Sequence, residues 1–175
     1  MNSASAQGSG QPALPHSQLM ATTVTSIREF LAFKLGTEEY GVDILRVQEI
    51  RSYEEPTRMT NSPAFVKGVI NLRGVIVPIL DLRMKFNLSQ VNYDSFTVVI
   101  VLNIGARVVG MVVDGVSDVI TLAPEQLHPV PELSSAINSD YLLAIGSVQE
   151  RMLILLDIEK LMTGAEMGLV ARTVQ

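Results

Sequence analysis

The chain has 175 residues, 47% hydrophobic and 18% charged, with 13 basic and 18 acidic residues and a net charge of -5. That length suits one domain, or two small units sharing a core. The acid excess counts against nucleic-acid binding, which needs a dense cationic surface to displace counterions. There is no cysteine and there are only two histidines. A disulfide framework, a thiolate metal site and a cysteine nucleophile are therefore excluded. Valine and isoleucine supply 34 residues, which leans the chain towards strands.

Residues 1–27 are rich in Ser, Ala, Gln, Gly, Thr and Pro, and the first charged side chain is Arg28. They bury too little apolar area to offset the cost of ordering, and are expected to form a mobile tail. They lack the basic start and apolar centre of a signal peptide. The longest apolar runs, Val98–Leu102 and Met152–Leu156, are strand-sized, so a cytoplasmic location is the default expectation.

Short apolar runs punctuated by Gly, Pro, Asn and Asp then follow to about Met162. They predict strands over Glu29–Leu35, Glu39–Asp43, Val47–Tyr53, Gly68–Leu72, Val75–Asp81, Thr97–Ile104, Arg107–Val113, Val116–Leu122, Ala144–Val148 and Met152–Asp157. Helical signals are few. Asp43–Arg46 and Asn61–Val66 each suit one turn, and Ile158–Glu166 suits a longer helix capped by Asp157.

The chain repeats itself. At a shift of 69, Phe30–Gly36 falls on Val99–Gly105, Gly41 on Gly110, Val47 on Val116, Glu49 on Asp118 and Ile50 on Val119. At a shift of 76, Val75–Leu82 falls on Arg151–Ile158, with one insertion in the second half. The shared glycine, acid and closing Leu-Asp-hydrophobic favour a duplication. Two β units of about five strands result, each too small for a core of its own, so they are expected to pack across an apolar seam. Small closed barrels suit such strands, because closure hides sheet edges. The expected division is barrel one at about 28–90 and barrel two at about 91–157.

Groups for chemistry are sparse. His16 sits in the tail, and His128 in a proline-rich stretch without a partnered nucleophile. Asp114, Asp118 and Glu125 are spread over turns. Gly105, Gly110 and Gly115 do not make a phosphate loop. Tyr40, Tyr53, Phe65 and Phe86 are scattered, without the basic groove of a single-strand binder. No catalytic residue, metal site or cofactor is expected, which leaves the surface itself as the functional part.

The segment Glu39–Ile50 is followed by Pro63–Gly74, with its Asn71-Leu72-Arg73-Gly74 block, then Val77–Leu82 and Val112–Val119. In these motifs the chain resembles the CheW-like domain family of bacterial chemotaxis coupling proteins, over roughly residues 28–165, leaving 166–175 as a C-terminal tail. The resemblance implies a mainly β fold: two tandem five-stranded SH3-like barrels on a shared hydrophobic interface, with a short C-terminal helix. It also implies a non-enzymatic adaptor. Such adaptors join the cytoplasmic tips of chemoreceptors to the regulatory domain of the histidine kinase CheA. They alternate with that domain in rings, together with further copies of themselves, and meet the membrane only through receptors clustered at its inner face.

Carried onto this sequence, the receptor groove takes Val47, Glu49, Gly68, Arg73, Val98, Gly110, Val116 and Val119. An apolar stripe of a helical hairpin suits such a groove. Arg73 stands in an otherwise apolar run and is expected to pair with Glu49, the alternative being an ordinary turn arginine pointing into water. Val42 and Ile44 are the expected kinase contacts, because SH3-like barrels pair through apolar tips and edges. The competing readings are an adaptor of the CheV type lacking its receiver, a small barrel enzyme with paired carboxylates, and a nucleic-acid-binding barrel.

Overall fold

A computed structural model describes residues 27–88, 91–131 and 139–163. The tail expected at 1–27, except for Ile27, lies outside the described residues, as does the C-terminal tail at 166–175.

Two apolar runs start the two copies of the repeat: β1 (Arg28–Leu35) and β6 (Val98–Ile104). Each has four consecutive buried residues, Phe30–Phe33 in β1 and Val99–Leu102 in β6. Burial of successive residues means that both faces of the strand are covered. Each turns at a glycine with positive φ, Gly36 or Gly105, into β2 (Glu38–Asp43) or β7 (Arg107–Val113). A 3-10 turn, Ile44–Arg46, follows β2, with the Asp43 carboxylate accepting from the Leu45 amide. Next come β3 (Val47–Ser52), β4 (Val66–Leu72), β5 (Val75–Asp81) and helix α1 (Leu82–Lys85). The second copy continues through β8 (Gly115–Leu122), the two-residue β9 (Leu127–His128), β10 (Leu142–Val148), β11 (Arg151–Leu156) and α2 (Ile158–Met162).

All ten expected strands are present, with no end moved by more than two residues. Asp157 caps α2 as expected, accepting from the Lys160 amide. Described α2 ends at Met162, and Gly164–Glu166 lie outside the described residues. Two expectations are corrected. Asn61–Val66 holds turns and the first residue of β4 rather than a helix, and α1 follows β5, where Asp81 caps it through the Arg83 amide.

The strand order also corrects the expected barrel division. One sheet runs β8-β1-β2-β11-β10-β9 and the other β3-β6-β7-β5-β4. The β1–β2 hairpin of the first copy thus sits between strands of the second, and the β6–β7 hairpin between strands of the first. Neither sheet matches 28–90 or 91–157. The exchange explains why β1 and β6 are apolar on both faces. It also explains the shared glycine. At each exchanged seam a parallel pair forms, Leu155 against Gly41 and Ile79 against Gly110. A Cβ on Gly41 would stand 2.7 Å from Leu155 Cδ2, and one on Gly110 2.7 Å from Ile79 Cδ1.

Three clusters make the core. Phe30, Ala32, Ile120, Leu122, Leu153 and Leu155 fill one sheet's own concavity. Leu72, Val77, Ile79, Val99, Val101 and Val112 fill the other. The largest cluster joins the two sheets, with Leu31, Phe33, Leu35, Tyr40 and Val42 facing Ile100, Leu102, Ile104, Val109 and Met111. This is the expected shared apolar interface.

A buried ion cluster stands beside that seam. Arg83 and Asp81 are both 0% exposed. Arg83 donates from Nε and an Nη to the two Asp81 oxygens, each at 3.0 Å. Its other Nη donates to Asp114 at 2.8 Å and to the Asn92 carbonyl at 2.6 Å. Tyr93 lies against the guanidinium and donates its hydroxyl to Asp81 at 2.6 Å. Asp114 links β7 of one sheet to β8 of the other, and its second oxygen accepts from the Gly36 amide at 2.7 Å. One arginine therefore ties both sheets together. Replacing Arg83 by Met strands the Asp81 carboxylate in the interior and is expected to cost about 3–5 kcal/mol of stability, read by chemical denaturation. A variant as stable as the parent would contradict this role.

Candidate docking surface

The repeat sets the geometry of the surface. Strands β3 and β8 are equivalent, and each is an edge strand of its sheet. An edge strand has hydrogen-bond partners on one side only, and leaves its other side for another contact. Both ladders carry a bulge at equivalent places: between Val47 and Glu49 against β6, and between Leu31 and Phe33 against β8, where Val119 and Val116 pair. A bulge bends the strand and re-aims the side chains around it.

The bulges divide the expected groove residues into two kinds. Val47 and Val116 pack, partly exposed, on the seam core, as do Val98 and Ile44. Beyond each bulge the apolar side chains turn outward. Ile50 is 45% exposed and Val119 is 50% exposed. Val119 is thus an exposed member of the expected groove set, and Ile50 is its repeat equivalent on β3.

Arg73 donates to Glu49 as expected, and Arg51 lies 3.7 Å from the same carboxylate. The Arg73 side chain is 66% exposed, as in the alternative of a turn arginine facing water, while that of Glu49 is 25% exposed. The physical reason is the hairpin between β4 and β5. Arg73 and Gly74 are its two central residues, both with positive φ, at 53° and 91°. That conformation matches a tight turn of inverted type, which extends its residues away from the sheet. The Asn71 side chain accepts from the Gly74 amide at 2.7 Å and steadies it.

Gly68 and Gly110 are buried and serve the interior. Gly68 has φ +143°, and a Cβ there would lie 2.0 Å from the Thr57 carbonyl oxygen, where the 57–58 segment bridges to β4. Gly110 makes room for Ile79 as described. Val42 is fully buried in the seam and so has no surface to offer a kinase. Ile44 is partly exposed, and its neighbour Leu45, on the same 3-10 turn, is 86% exposed. His128 is exposed on β9, and His16 lies outside the described residues.

Two arginines were missed by sequence reasoning. Arg83 is structural. Arg151, the first residue of β11, donates to both oxygens of Glu39 at 3.0 and 2.9 Å and to both oxygens of Asp118 at 3.0 and 2.9 Å. The repeat held the signal, because it aligns Asp118 with Glu49. Hydrogen bonds from Arg151 hold Glu39 and Asp118 below the ordinary carboxylate range, and the bond from Arg73 does the same for Glu49. An acid–base catalyst needs a carboxyl raised towards neutrality. These three are moved the other way, as carboxylates in fixed ion pairs are.

Comparisons with known proteins agree with this architecture. Residues 29–166 match the family model of the CheW-like domain. The chain belongs to the CheW-like domain family. It is 62% identical over 143 residues to a chemotaxis protein CheW of Klebsiella aerogenes, covering 82% of this chain and 86% of that protein. It is 38% identical over 139 residues to a probable chemotaxis protein CheW of Rhizobium etli, covering 79% and 90%. The crystal structure of the scaffolding protein TtCheW from Thermoanaerobacter tengcongensis superposes with a TM-score of 0.74 at 27% identity, covering 79% of this chain and 94% of that one. Chemotaxis is thus the setting of this CheW-like domain. No helix among the described residues is long and apolar enough to cross a membrane.

The exposed Arg73–Glu49 pair is expected to contribute little to folding. Arg73→Ala should change unfolding free energy by no more than about 1 kcal/mol, measured by denaturant titration. A larger loss would show that the hairpin tip is needed for the fold.

Proposed function

We propose that this chain is a non-enzymatic chemotaxis adaptor. It couples the cytoplasmic tip of chemoreceptors to the regulatory domain of the histidine kinase CheA, in the cytoplasm at the inner face of the membrane. Within receptor–kinase arrays it takes its place beside CheA domains and further copies of itself. The observation that supports this reading best is the matched pair of edge strands. On β3 and β8 a half-exposed apolar side chain, Ile50 or Val119, stands beside an acid held by an arginine. An amphipathic helix presents the complement: an apolar stripe bordered by charges.

The receptor face comprises Val47, Glu49, Arg73, Val98, Val116 and Val119. Gly68 and Gly110, which the resemblance also assigns to this face, act through the interior packing of their sheet. The kinase is assigned to the turn Ile44–Arg46, where Leu45 is the exposed anchor. Function of this kind needs no reacting group. It needs two contacts held in a fixed relation, so that a shift at one biases the state of the other partner.

Sedimentation velocity tests the reading. Mixed with a soluble receptor-tip fragment and the CheA regulatory domain, the protein is expected to co-migrate with each at micromolar concentration, equivalent to about -8 kcal/mol. Val119→Asp should release the receptor fragment alone, and Leu45→Asp the kinase domain alone. Failure of the parent protein to associate with either at tens of micromolar would overturn the reading.

A further inference from the structure

The two edge strands are not held in the same way. Strand β3 receives its arginine from a hairpin tip, and that side chain is largely exposed. Strand β8 receives Arg151 from β11, which lies beyond β1 and β2 in the sheet order. Arg151 therefore reaches across the curled sheet to the opposite edge. It meets Asp118 at the bulge of the β1–β8 ladder, between the paired residues Val116 and Val119. Ladder bonding is irregular there, and the bidentate contact supplies a second tether. Glu39 on β2 grips the same guanidinium with both oxygens, so the arginine is aimed before Asp118 adds to it.

We propose that Arg151, aimed by Glu39, is a positioning residue for docking at β8. Through Asp118 it fixes the bulge that turns Val116 to the seam and Val119 outward, as Arg73 does for β3 through Glu49. The inference rests on the receptor-docking reading above and extends it to a second ion-paired clasp, one per sheet. The partner at β8 is the same amphipathic helical hairpin, contacted by Val119 and positioned by the clasp.

Asp118 gives the discriminating variant. Its side chain is half exposed, and Arg151 keeps Glu39 when Asp118 is removed, so folding is spared. With the full chain and a soluble receptor-tip fragment, Asp118→Ala is expected to weaken binding about fivefold, the equivalent of about 1 kcal/mol. The melting temperature should stay at the parent's value. Asp118→Glu, which keeps the carboxylate, should restore most of the affinity, a rescue that loss of packing alone would not show. If the parent binds the fragment and Asp118→Ala binds equally well, the clasp has no docking role and the inference is overturned, while the adaptor reading stands. If the parent itself does not bind the fragment, the receptor reading fails and this inference falls with it.

Discussion

Everything in this molecule depends on the exchange of hairpins between its two repeats. Because β1–β2 lies among strands of the second copy and β6–β7 among strands of the first, neither sheet is complete without both. Neither copy of the repeat can then leave the other without breaking strand ladders. Arg83 secures the same junction electrostatically. It is fully buried, and it joins Asp81 at the end of β5 to Asp114 at the crossing between sheets. A buried ion pair adds little net stability, but it tolerates few alternative arrangements of the groups that satisfy it. Among the described residues no buried side-chain nitrogen or oxygen is left without a partner.

That rigidity is what an adaptor requires. The two edge strips on β3 and β8 are related by the repeat and held by the same seam. Each has a valine anchored on the core, a bulge, an acid and an outward apolar side chain. In the docking proposed above, the apolar part would supply affinity, and the ion pairs would set the aim of the strand more than its stability. A binding protein built this way transmits position, and its carboxylates remain charged in fixed pairs.

Much of this was legible in the sequence. The strands were visible because each is a short apolar run ended by turn residues, and the repeat was visible because Gly41, Gly110, Asp81 and Asp157 occupy equivalent places. The Arg73–Glu49 pairing followed from a lone charge in an apolar run. The exchange of hairpins was not legible, since sliding a sequence on itself matches strands without saying which neighbours they take. The exposure of Arg73 stayed open between two readings, because it depends on positive φ at a turn. The interior roles of Gly68, Gly110 and Val42 also needed the packing, because a glycine or valine reads the same in a core and at a surface. Arg83 escaped notice because its partners, Asp81 and Asp114, are 33 positions apart from each other in sequence (114 − 81) and meet only after the sheets cross.

The central claim is that the two sheets form one cooperative unit. Native-state amide hydrogen exchange in β1 and β11 of one sheet, against β6 and β7 of the other, tests it most directly. The account predicts that the slowest amides of both sets exchange with the same free energy, equal to that of global unfolding. A lower free energy for one set would mean that one sheet opens while the other stays folded, and would contradict the claim.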